Sequence, residues 1–91
     1  MSWYIQLMRF RFTKHSIDKL LLIEKYGFNV TQDMVKAALR SPLRVDIRPD
    51  GTFVANASLS KKLILRVAHR YEDDIIIIIT VYPGRRKAYG L

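Results

Sequence analysis

The 91-residue sequence has no cysteine. A disulfide framework and a thiolate zinc site are therefore excluded, and the chain suits a reducing compartment. No run of apolar residues approaches the roughly 20 needed for a bilayer-spanning helix. The N-terminus does not pair a charged start with a long apolar segment, so a cytoplasmic protein is expected. Acidic side chains are scarce: 8 Asp and Glu stand against 16 Lys and Arg, a formal charge of +8. With only two histidines, a metal site would have to draw on Asp73 and Asp74. Adjacent acids in a turn are ordinarily solvated, and neither a metal nor another cofactor is expected.

What is present is basic and unevenly placed. Residues 61–91 hold Lys61, Lys62, Arg66, Arg70, Arg85, Arg86 and Lys87, whereas the acids of that third, Glu72, Asp73 and Asp74, fall in one turn. A cationic excess on a short chain makes a polyanion the first partner to consider, against the alternative of surface charge serving solubility alone. Residues 1–91 leave room for a single domain.

The alternation of Met8, Phe10 and Phe12 with Arg9 and Arg11 predicts a short first strand. Thr13 then reads as a helix N-cap, and the helix carries Ile17, Leu20, Leu21 and Glu24 along one side before ending near Tyr26 at Gly27. Thr31 repeats the cap for a second helix that buries Val35, Ala38 and Leu39 and stops before Pro42. From Leu43 the period becomes two, with Leu43, Val45 and Ile47 on one face and Arg44, Asp46 and Arg48 on the other. Pro49 Asp50 Gly51 makes a turn, Phe53 to Ser58 returns, and Lys62 to Tyr71 follows. The last strand is the run Ile75 to Tyr82, β-branched and apolar enough to be buried on both faces, flanked by Asp73 and Asp74 before it and Pro83 and Gly84 after it. An edge position for such a run would invite aggregation, so a central one is expected.

This order, β-α-α-β-β-β-β, implies an α+β fold: an antiparallel sheet with two helices packed on one face. If the last hairpin pairs like with like, the face away from the helices carries Arg66 and Arg70 beside Thr80 and Tyr82, with Ile76 and Ile78 on the same side. Such a face, edged by Arg85, Arg86, Lys87 and Tyr89, suits a phosphate-bearing ligand, because a guanidinium fork matches phosphate oxygens. A tyrosine there, Tyr82 or Tyr89, can move a proton if nearby cations lower its pKa; packing is the more ordinary role for Tyr82. His15, in the first turn of the first helix, is a candidate base or a plain surface histidine. His69 shares the apolar parity and reads as a boundary residue.

Several stretches together, in order and over nearly the whole chain, resemble the RelE/ParE superfamily of small toxin ribonucleases, specifically its relatives of unknown function whose first helix opens with Lys-His. They are Thr13 Lys14 His15, Val35 to Pro42, Asp50 Gly51, and Ile79 Thr80 Val81 Tyr82 Pro83. The tail Gly84 Arg85 Arg86 Lys87 Ala88 Tyr89 is similar to the C-terminal basic pattern of RelE-type toxins, an arginine followed four residues later by a tyrosine. The resemblance implies a RelE-like domain, an RNA-directed, metal-independent endoribonuclease of a toxin-antitoxin system. Arg85 would contact the scissile phosphate and Tyr89 would serve as base or acid. Arg66 and His15 complete the expected catalytic set; Arg70, Arg86, Lys87, Lys61 and Lys62 are the expected RNA-binding residues. The implied partners are RNA, including ribosome-associated RNA, and an antitoxin protein. Where those relatives usually carry arginines four and eight residues after the histidine, this chain has Lys19 and Ile23. The competing expectations are a non-catalytic nucleic-acid-binding or regulatory domain, and a protein-binding module.

Overall fold

Thr13 joins the first strand to the first helix with no intervening loop. The computed structural model describes residues 9–91. In it, strand β1 (Arg9–Phe12) leads directly into helix α1 (Lys14–Lys25); Met8, expected to begin the alternation, lies outside the described residues. The Thr13 side chain accepts the Ser16 backbone N–H at 3.1 Å, the N-cap bond the sequence predicts. Its own hydroxyl reaches the carbonyls of Ile78 (3.0 Å) and Ile79 (3.2 Å).

That anchor fixes the rotational setting of α1. The buried stripe is Ser16, Leu20 and Ile23, not Ile17, Leu20, Leu21 and Glu24. Ile17 and Leu21 are 39% and 57% exposed, because with a one-residue connection the helix cannot roll to bury them. The helix ends at Gly27 (φ +93°), where the Gly27 N–H donates to Glu24 O and the Phe28 N–H to Ile23 O, a Schellman closure that a positive φ permits. Helix α2 (Gln32–Arg40) is capped by Thr31, whose side chain accepts the Met34 N–H at 3.1 Å, and it buries Val35 and Ala38, with Leu39 half-buried.

The remaining strands are β2 (Arg44–Ile47), β3 (Phe53–Ser58), β4 (Leu63–Glu72) and β5 (Ile75–Arg85), followed by a 3-10 turn, Arg86–Tyr89. The sheet order is β1-β5-β4-β3-β2. The sheet is mixed, not purely antiparallel: β1 runs parallel to β5, Phe12 lying beside Ile78. The helical pair between β1 and β2 carries the chain across the sheet, so β1 is not part of the meander. The isoleucine strand is interior, between β1 and β4, as its aggregation hazard requires.

Two features of β5 depart from the sequence pattern. The strand continues through Pro83 and Gly84 to Arg85. The Arg86 N–H donates to Lys62 O at 3.0 Å, and alternation along an antiparallel pair then places Pro83 where a backbone N–H would point away from β4. On that side β1 has already ended opposite Ile78, so the missing donor breaks no ladder. A bulge between the pairs Ala68–Thr80 and His69–Ile78 also leaves Ile79 as an extra residue. It turns Ile76 and Ile78 into the helix-side core with Leu65, Val67 and Val81, and sets Arg70 opposite Ile77, while Thr80 faces Ala68. The predicted pairing of Arg66 with Tyr82 is present.

Both helices cover one face of the sheet: Leu20, Ile23, Val35 and Ala38 pack on Ala55, Leu65, Val67, Ile76, Ile78 and Val81. Because α2 lies mainly over β3 and β4, no helix among the described residues covers the apolar side of β2, and Leu43, Val45 and Ile47 are 54%, 44% and 74% exposed.

Candidate nucleic-acid interface

Arg66 lies on the face opposite the helices and is 7% exposed. Burying a charge is costly unless it is paired and hydrogen-bonded, and here every neighbouring strand supplies a partner. Its Nη1 donates to Asn56 Oδ1 (2.7 Å) on β3 and to Asp46 Oδ2 (3.3 Å) on β2, and its Nε donates to the Tyr82 hydroxyl (3.1 Å) on β5. Asn56, fully buried, turns its amide on Asp46 Oδ2 and the Arg44 carbonyl, both at 3.0 Å. Arg44 grips Asp46 with two nitrogens at 2.8 and 3.3 Å, and Arg48 Nη2 donates to the Tyr82 hydroxyl at 2.9 Å. Hydrogen bonding by Arg44, and then by Asn56 and Arg66, holds the Asp46 carboxyl below its ordinary range despite an opposing desolvation. Burial alone would lower the Arg66 pKa, but the contacts with Tyr82, Tyr89 and Asp46 outweigh it and raise the net value.

The chain then folds back over this network. Tyr89, at the end of the 3-10 turn, sets its ring 3.9 Å from the Arg66 guanidinium carbon. Gly84 makes the approach possible, since a Cβ there would stand 2.8 Å from Tyr89 Cε2 and 3.3 Å from Arg66 Cδ. Arg66 is therefore shielded by Tyr89 and paired below, not presented on an open sheet face.

A cluster of cations outside any ion pair among the described residues lies elsewhere. A groove of about 950 Å³ opens between the β3–β4 turn and the end of β5, lined by Ser60, Lys61, Lys62, Leu63, Arg85, Arg86 and Lys87. Five of these seven side chains are cationic and none is acidic, and among the described residues none of the five enters an ion pair. Arg86 is tied to the turn, donating to Ser58 Oγ (2.5 Å) and Ser60 O (3.3 Å), which sets one wall of the groove. The carbonyl of Lys62 accepts the Arg86 N–H, so the two walls are joined by backbone.

The structure thus brings together Lys61, Lys62, Arg85, Arg86 and Lys87 from the expected set, and separately Arg66, Tyr82 and Tyr89. Arg85 has the strand parity of Val81 and is exposed, whereas Tyr89 rests on Gly84 and Arg66 on the opposite side of β5. His15 is exposed on α1, with the sheet between it and Arg66. Arg70 is at the far end of β4 and pairs with Glu72 at 2.7 Å. His69 is 1% exposed, bonded through Nδ1 to Val67 O at 3.0 Å and packed between the rings of Phe53 and Tyr71, so it belongs to the interior and not to a boundary. Among the described residues no three His, Asp or Glu side chains converge as a metal site.

Sequence reasoning overlooked Asp46 and Asn56 as partners of Arg66, and Arg44 and Arg48 as the outer members of the same network. The available signal was Asn56, a lone amide within the apolar stretch Val54 Ala55 Asn56 Ala57, which has to find buried partners. Comparison of the chain with protein-family models, with curated proteins and with solved structures gave no match.

Proposed function

We propose that this chain binds RNA through the groove between the β3–β4 turn and the 3-10 turn, as a RelE/ParE-like RNA-directed domain. The observation that carries the reading is the groove itself: five cations from two backbone-linked walls, with no acid in the lining. A groove of one charge sign focuses its field on a polyanion, and phosphates are the ligands that Lys and Arg together recognise. Lys61, Lys62, Arg85, Arg86 and Lys87 supply the phosphate contacts. Arg66 acts from below by holding Tyr89 and with it the turn that carries Arg86 and Lys87. The resemblance of the tail to RelE-type toxins and the element order β-α-α-β-β-β-β support RNA as the polyanion.

The test is the anisotropy of a labelled single-stranded RNA titrated with the protein across a salt series. If the groove neutralises about four phosphates, log K falls with log salt with a slope of about −3. Salt-independent binding, or none at low salt, would remove the proposal.

A second reading, cleavage, is favoured by the fixed position of Tyr89 beside the cationic segment. In that reaction a ribose 2′-oxygen attacks the adjacent phosphorus while a base takes its proton. The P–O5′ bond breaks, the 5′-oxygen is protonated, and a 2′,3′-cyclic phosphate remains. Tyr89 is the proton-moving group in this reading, and Arg85, on the other side of β5, binds a neighbouring phosphate in the groove and not the one Tyr89 serves. Incubation with free and ribosome-bound RNA in the presence of a chelator tests it by the appearance of 2′,3′-cyclic ends. An antitoxin-type partner covering the groove would suppress binding and cleavage alike.

A further inference from the structure

Among the described residues strand β2 ends the sheet, and the charge pattern along its outer edge is self-complementary. The Arg48 N–H donates to Thr52 O at 2.8 Å, and β2 pairs with β3 so that Asp46 faces Val54 and Arg44 faces Asn56. Alternation by two then turns the backbone groups of Arg44 and Asp46 toward β3, and those of Val45 and Ile47 outward. The side chains of Leu43, Val45 and Ile47 form an exposed apolar row on the helix side, where no helix among the described residues covers them. Native edges are usually blunted by charge or by a covering element; among the described residues this apolar row has neither.

We infer that β2 pairs with β2 of a second copy, antiparallel about a two-fold axis through Val45. In that register Val45 lies opposite the partner's Val45 with outward-facing backbone groups, and Leu43, whose own N–H donates to Asn56 O at 2.7 Å, meets the partner's Ile47 through its side chain. On the other side of the ribbon, Arg44 faces the partner's Asp46 and Asp46 faces the partner's Arg44. The sequence Leu-Arg-Val-Asp-Ile thus matches itself when reversed, apolar against apolar and cation against anion. A shift of one residue would set apolar side chains against charged ones and outward-facing backbone groups against inward-facing ones. The result is a continuous ten-stranded sheet, two copies of the five-stranded one. The seam is short, so the association is weak and concentration-dependent, and it needs no nucleic acid.

Because the chain has no cysteine, a single introduced thiol reports the register without background. Opposed residues of a hydrogen-bonded antiparallel pair have Cα atoms about 5.5 Å apart, within disulfide reach, whereas two Ile47 residues would be about 13 Å apart. Val45→Cys is expected to form a covalent dimer under mild oxidation, and Ile47→Cys to remain monomeric. Sedimentation equilibrium of the unmodified chain should show a monomer–dimer equilibrium. Ile47→Lys and Arg44→Glu should each weaken it about tenfold, the latter by placing like charges opposite each other twice, with circular dichroism confirming that both variants fold. A chain monomeric up to millimolar concentration, equal crosslinking at positions 45 and 47, or a dimer unaffected by Ile47→Lys would each overturn the inference.

Discussion

The guanidinium carbon of Arg66 stands 3.9 Å from the centre of the Tyr89 ring, and the edge of that ring fills the space that a side chain at position 84 would need. Gly84→Ala should therefore displace Tyr89 from Arg66. The expected loss is about 1 kcal/mol, the scale of one partly desolvated cation–π contact. Urea denaturation of Gly84→Ala, Tyr89→Ala and the double variant checks it. If the glycine acts through the ring, the double variant is no less stable than Tyr89→Ala alone.

Asp46 neutralises the buried Arg66 while remaining a third exposed itself. Asp46→Ala leaves Arg66 without its counter-charge and should destabilise the fold by about 2 kcal/mol, at the lower end for a broken buried pair because solvent still reaches the site. Arg44→Ala, which removes only an outer partner of Asp46, should cost less than half as much. Thermal unfolding of the two variants, compared at one pH, decides the order.

His69 gives a pH signature. Burial pushes its imidazole below the ordinary 6.5, with a smaller opposing effect from the Val67 carbonyl. The unfolded chain therefore binds the proton more readily than the folded one, and stability should decline as pH falls from about 6.5 through the lower folded value, with no His69 contribution above that window. His69→Leu should flatten the profile there. The depressed Asp46 carboxyl adds a separate loss further into acid, below its ordinary 3.8. Urea midpoints from about pH 7 down to about pH 2 separate the two.

Groove cations should show in the salt dependence of RNA binding. Lys61→Ala or Lys87→Ala should each reduce the slope by about 0.7 if the residue neutralises one phosphate of a single strand. Arg70→Ala, at a residue already paired with Glu72 and distant in sequence from the groove, should leave the slope unchanged. Anisotropy titrations at four or five salt concentrations measure it.

The elements legible in the sequence were those with local causes. Thr13 and Thr31 cap helices by bonds to residues three positions on, and Gly27 ends α1 through its own positive φ. Alternation located β2 to β4 within a residue or two, and the apolar run located β5 as far as Tyr82, three residues short of its end at Arg85. What escaped was non-local. Nothing near Arg9–Phe12 says that its partner is Ile75–Ile78, running parallel. The bulge at Ile79 is invisible in five identical side chains, yet it decides which isoleucines face the helices. Of the candidate site, the cationic lining was legible because like charges cluster in sequence. The engagement of Arg66 was not, because its partners Asp46 and Asn56 lie 20 and 10 residues away.

The insertion of β5 between β1 and β4 also governs the order in which the chain can assemble. During synthesis β1 is made early and β5 late, 65 residues separating Thr13 from the Ile78 carbonyl it binds. Until the isoleucine strand arrives, β1 has no neighbour in the sheet, the apolar stripe of α1 has little to rest on, and the long edge of β4 is open. A nascent chain lacking its last quarter can form helices and the β2–β4 meander, but it cannot close. Closure of this fold accordingly waits until its most aggregation-prone segment reaches the slot between β1 and β4.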